Sequence, residues 1–86
     1  MKIELVYFGR PSEFLMMTSE CMVVPEQIIT LGQLLNRLRK RGDRWAYELD
    51  DSHVICTVDQ RAAIPAEVIA DGDEIGIFSM RSLFEA

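Results

Sequence analysis

The sequence predicts an α+β fold in which a mixed five-stranded sheet packs on one main helix, and three observations carry that prediction. Only one stretch, Thr30 to Gly42, has a helical apolar period. The runs on either side of it are short and alternate apolar with polar residues, as half-buried strands do. Clusters of Gly, Pro, Asp and Ser separate those runs at the spacing of tight connections.

The helix comes first because it requires the rest. Leu31, Leu34, Leu35 and Leu38 fall at i, i+3, i+4 and i+7 on one stripe, leaving Gln33, Asn36, Arg37, Lys40 and Arg41 toward water. Thr30 and Gln33 have the spacing of a reciprocal capping box, and Gly42 is expected to supply the left-handed residue that ends the helix. Each buried leucine stabilises by about 1.5–3 kcal/mol before entropy is subtracted, so a sheet must cover the stripe.

In chain order, residues 2–8 form strand one. If Ile3, Leu5 and Tyr7 face the helix, Val6 and Phe8 look outward. Gly9 to Ser12 turns the chain, and Glu20 to Val24 reads as strand two. Phe14 to Met17 fits either a helical turn or a loop tucked under the sheet. Asp43 to Asp51, with Trp45, Tyr47 and Leu49 among charges, is expected to form a short helical turn closing one end of the core. Trp45 is read as a packing residue. His53 to Asp59 is strand three, with Val54, Cys56 and Val58 on one face. Asp59 to Arg61 turns into strand four, Ala62 to Ile64, which Pro65 ends. Asp71-Gly72-Asp73-Glu74 is a turn into strand five, Ile75 to Phe78. The order strand, strand, helix, three strands is that of the ubiquitin-like β-grasp. Residues 1–78 make the domain and 79–86 a C-terminal tail.

The 86 residues, 49% hydrophobic and 27% charged, suit one globular domain. No apolar run approaches a membrane span and no leader is apparent at Met1 to Leu5, so a cytoplasmic protein is expected. The net charge is −5, with six basic and five acidic residues in 1–43 but three basic and nine acidic in 44–86. That balance disfavours nucleic acid and suits a basic protein partner. Arg37, Arg39, Lys40, Arg41 and Arg44 are read as cations complementing the helix dipole and solvating its outer face.

Cys21 and Cys56 lack metal or redox spacing and are read as small buried strand residues. His53, the only histidine, has no partner at ligand spacing, and the carboxylates of residues 71–74 lack the pattern of a calcium loop. No catalytic residue, metal or cofactor is expected.

Thr30 to Leu35, Arg41 to Ala46, Val58-Asp59-Gln60 and Asp71 to Ile75, in that order and spacing, resemble the small subunit of molybdopterin synthase. The sulfur carrier of thiamine synthesis is a more distant likeness. The resemblance spans Lys2 to Phe78 and implies a carrier without an active site of its own. In that family a C-terminal Gly-Gly carboxylate is adenylated, converted to a thiocarboxylate and delivered to the large synthase subunit. The implied partners are therefore that large subunit or an adenylating enzyme.

The tail departs from this pattern. Ser79, Met80, Arg81, Ser82, Leu83, Phe84, Glu85 and Ala86 include no glycine, and no two glycines are adjacent anywhere in the chain. The expectation is a protein poor or inactive in standard thiocarboxylate formation; the alternative is a ubiquitin-like interaction or regulatory module that transfers nothing. What carries over is a surface. Val6, Phe8, Gly76 and Phe78 are expected to share an outward apolar face suited to docking a partner. Two other outcomes remain open: Leu83 and Phe84 fold back over that face, or exposed apolar residues make a homodimer. The docking face fails if Phe8 and Phe78 are both buried.

Overall fold

The computed structural model describes residues 1–80. Eight elements follow in order: β1 (Lys2–Tyr7), α1 (Arg10–Phe14), β2 (Ser19–Val23), α2 (Leu31–Arg39), α3 (Asp43–Glu48), β3 (Val54–Val58), β4 (Arg61–Ala63) and β5 (Glu74–Ser79). The strands form one sheet ordered β2-β1-β5-β3-β4. β1 and β5 run parallel at its centre while the other pairs are antiparallel. This is the mixed five-stranded β-grasp that the sequence predicts.

The core lies between the inner sheet face and α2. Leu31, Leu34, Leu35 and Leu38 are all buried, against Ile3, Leu5 and Tyr7 from β1 and Ile75 and Ile77 from β5. At the start of α2, Thr30 Oγ1 accepts from the Gln33 amide at 3.2 Å while Gln33 Oε1 accepts from the Thr30 amide at 3.1 Å. Its end differs from expectation. Lys40 caps the helix in the right-handed conformation, its N–H donating to the Arg37 carbonyl while the Arg41 N–H donates to that of Leu38. Gly42 instead precedes α3, with φ 158°, and its carbonyl accepts the Ala46 amide. With only three residues between the two helices, the chain needs Gly42 to start the next helix more than to stop the last.

α3 closes the core end as expected. Trp45 packs edge-on against Tyr7 with ring centroids 5.9 Å apart, and Leu49 is buried. The stretch left open by the sequence resolves around Pro11, which sits in the first turn of α1 where its missing N–H costs no helical bond. Phe14 ends α1, Leu15 is buried, and Met16 turns the chain in the left-handed region at φ 56°.

Asp59 and Gln60, both left-handed, form the two-residue turn joining β3 and β4. The carboxylates of this end cap backbone amides. Asp59 Oδ1 accepts from Glu74, Asp71 Oδ1 from Lys2 and Asp73 Oδ2 from Ala70.

Two expectations about side chains are corrected. Cys21 is exposed, because it lies on the outer face of edge strand β2; Cys56 alone of the pair is buried. The arginines following Leu38 do more than solvate the helix. Arg39 bonds the Leu49 carbonyl, Asn36 and Asp51. Arg41 holds both oxygens of Glu20 and lies 4.6 Å over the Trp45 ring.

The Arg41–Glu20 pair makes stability depend on pH. Burial raises the pKa of Glu20, but hydrogen bonds from Arg41 and Tyr7 outweigh it and hold the carboxyl below the usual range. A group so depressed contributes stability that is complete above the unfolded carboxylate pKa and is lost as pH falls through the folded value. Glu20→Gln is expected to shallow the acid limb of the urea-midpoint profile. An acid limb unchanged in the variant would show that Glu20 does not carry it.

Candidate protein-docking face

The outer sheet face is set by strand alternation. Residues of β1 and β5 that face α2 are Ile3, Leu5, Tyr7, Ile75 and Ile77, so Glu4, Val6, Glu74, Gly76 and Phe78 point the other way. Parallel register pairs Val6 with Gly76, and Gly76 pairs in turn with Thr57 of β3. One step along, Phe78 pairs with Ile55. Phe8, just past β1, donates its amide to the Ile77 carbonyl at 2.9 Å and so extends the ladder.

The structure therefore brings Val6, Phe8, Gly76 and Phe78 together on one face. The Phe8 and Phe78 rings stack nearly parallel, with centroids 4.5 Å apart and planes 5° from each other. Phe8 remains 40% exposed, and Val6 and Phe78 are half-buried. The aromatic pair is thus not sunk in the monomer.

Gly76 itself is buried, for a reason internal to this chain. A Cβ there would overlap Thr57 Oγ1 and would sit 3.2 Å from Phe78 Cε2 and 3.5 Å from Phe8 Cε2. The close approach that glycine permits is that of its own neighbours, which lets the two rings lie flat over β5. Ile55 and Thr57 were absent from the expected face. Their signal was present, since Val54, Cys56 and Val58 inside requires Ile55 and Thr57 outside.

Ser79, placed in the tail by sequence, is the last residue of β5 and is buried, and the Met80 amide donates to the His53 carbonyl at 2.7 Å. Arg81, Ser82, Leu83, Phe84, Glu85 and Ala86 lie outside the described residues, and with them the expectation that Leu83 and Phe84 cover the face.

The buried thiol is held in an inert form. Burial pushes the Cys56 thiol up to about 12, which keeps it protonated. His53 Nδ1 lies 2.9 Å from the Tyr47 carbonyl and its ring packs on the Tyr47 ring. Among the described residues no group of three or more His, Cys, Asp and Glu is placed to hold a metal ion, and no helix is long and apolar enough to cross a membrane.

Comparison with known proteins agrees with this architecture. The ThiS family model matches residues 5–82. SAMP1 from Haloferax volcanii is similar in structure, with TM-score 0.77 and 22% identity over 92% of this chain and 94% of that one. A putative molybdopterin converting factor, subunit 1, from Pyrococcus furiosus gives 0.73 and 22% over 92% and 97%. The HVO 2177 protein of Haloferax volcanii gives 0.77 and 26% over 92% and 82%. No curated protein matches the sequence.

Proposed function

The chain belongs to the ThiS family of ubiquitin-like sulfur carriers, and on that premise we propose that it is a non-catalytic partner subunit related to molybdenum cofactor biosynthesis. It docks through Val6, Phe8, Gly76 and Phe78 on an adenylating enzyme or on the large subunit of molybdopterin synthase, in the cytoplasm. The observation that carries this reading is the stacked Phe8–Phe78 pair, an apolar surface left partly open on a rigid central strand. Aromatic anchors on a preformed sheet lose little conformational entropy on binding, which is why such residues concentrate interface energy. The likeness to a molybdopterin converting factor subunit supports the choice of pathway.

Sulfur loading is a separate matter. A second reading stands beside the first: a ubiquitin-like module that binds the partner and transfers nothing.

One experiment separates these outcomes. The 86-residue chain is incubated with a molybdopterin-pathway adenylating enzyme, ATP and a sulfur donor, and both complex formation and intact mass are recorded. The expected result is a complex with the mass of the chain unchanged. A mass gain equal to exchange of one oxygen for sulfur would restore full carrier function, and failure to bind either this enzyme or the large subunit would remove the proposed partner class. A concentration-dependent homodimer that hides Phe8 would assign the face to a second copy instead.

A further inference from the structure

A second surface lies at the edge of the sheet, independent of the docking face. β2 ends the strand order, so among the described residues one side of its backbone has no strand beside it. Val24 exchanges hydrogen bonds with Met1, and the Thr18 carbonyl accepts from Tyr7. Alternation along an antiparallel ladder then turns the N–H and C=O of Ser19, Cys21 and Val23 toward the free edge. No proline or lysine lies within β2, although the strand is short and Glu20 turns a charge inward.

Beside the edge runs an open groove of about 380 Å³ lined by Met22, Arg37, Lys40 and Arg41. Met22, half-buried and packed on the core, gives it an apolar floor. Arg41 is committed to Glu20, which ties the C-terminal part of α2 to β2 and fixes the groove wall. Arg37 and Lys40 are exposed and take part in none of the ion pairs among the described residues. On a chain of net charge −5, a free strand edge flanked by two uncommitted cations is a local inversion of sign.

We propose that the β2 edge and its Met22–Arg37–Lys40 groove bind an extended acidic peptide by strand addition. Main-chain bonds to Ser19, Cys21 and Val23 give the register, and alternate side chains of the added strand turn toward α2. The side chain opposite Met22 is apolar, and carboxylates beside it meet Arg37 and Lys40. This mode uses no residue of the Phe8–Phe78 pair, so a partner on the outer face and a peptide on the edge can bind together.

The test is an NMR titration of the isotope-labelled chain with the synthetic peptide Asp-Glu-Val-Val-Val-Asp-Glu and with a counterpart carrying lysine at every acidic position. The acidic peptide is expected to shift the Ser19, Cys21 and Val23 amides, more weakly as salt is raised. Arg37→Glu combined with Lys40→Glu should weaken it about tenfold, as expected for two exposed charge pairs reversed. Cys21→Pro removes an edge-facing N–H without breaking a bond to β1, and should abolish binding while the amide spectrum remains that of a folded chain. The proposal is overturned if the lysine peptide binds equally, if neither variant changes the affinity, or if no binding appears at millimolar peptide. Shifts confined to Phe8 and Phe78, or β2 shifts that follow protein concentration without peptide, overturn it as well, the latter by showing that the edge pairs with a second copy.

Discussion

Replacing Phe8 by aspartate is expected to weaken binding to the adenylating enzyme or large synthase subunit by at least about thirtyfold while the fold survives. The two effects separate because of where the ring sits. Phe8 is 40% exposed and its backbone bond to Ile77 does not depend on the side chain. Losing the stacked contact with Phe78 costs about 0.5–1.5 kcal/mol beyond area, a loss a folded domain can sustain. At an interface the same change removes an aromatic anchor, for which about 2 kcal/mol or more is typical, and leaves a carboxylate to be desolvated. Titration calorimetry and urea unfolding on one preparation read both quantities. Val68→Asp is the control, since Val68 is 65% exposed but lies beside the start of α2, bridged to Thr30 and away from the face. Equal binding by Phe8→Asp and the native chain would assign the docking to another surface.

How much of this was legible in the sequence depends on the range of the interactions concerned. The capping box of Thr30 and Gln33 is local, and spacing alone specifies it. The outward set Val6, Phe8, Gly76 and Phe78 follows from alternation in two strands once their inner residues are known. What the pattern could not supply was long-range pairing. Arg41 meets Glu20 across 21 positions, and Arg39 meets Asp51 across 12, so a run of cations that reads as a solvated helix face becomes structural. Glu48 was hidden for the same reason: it is buried beside Arg10, 3.3 Å away, although its local sequence is charged. Cys21 erred in the other direction. Without metal or redox spacing it reads as a small buried strand residue, but β2 is an edge strand and only its even-numbered residues turn toward the core. Gly76 falls on that face by alternation, but the cause of the glycine was hidden, because nothing in a run of Ile-Gly-Ile-Phe reveals that Thr57 will lie across it.

That cause predicts the second large effect: Gly76→Ala should destabilise the fold by about 1–3 kcal/mol, as overpacking does in a close-packed site. The opposite outcome has its own physical basis. Alanine restricts the unfolded chain more than glycine does, which alone would stabilise by about 0.4–1 kcal/mol. The overlap with Thr57 Oγ1 decides between them. Thr57 is β-branched, so rotation of its side chain exchanges the hydroxyl for a methyl or forces a less favoured rotamer. The Phe78 ring, 3.2 Å from the new carbon, must shift as well, and it is stacked on Phe8. The variant is therefore expected to disturb the docking face in addition to stability. Thr57→Ala removes the overlapping atom, and in the Gly76→Ala background it should recover part of the lost stability, a coupling measurable as a double-mutant cycle in urea. If Gly76→Ala stabilises the protein, or if Thr57→Ala recovers nothing, then the glycine is not there to admit Thr57 and the rings, and the flat aromatic face must be held by something else.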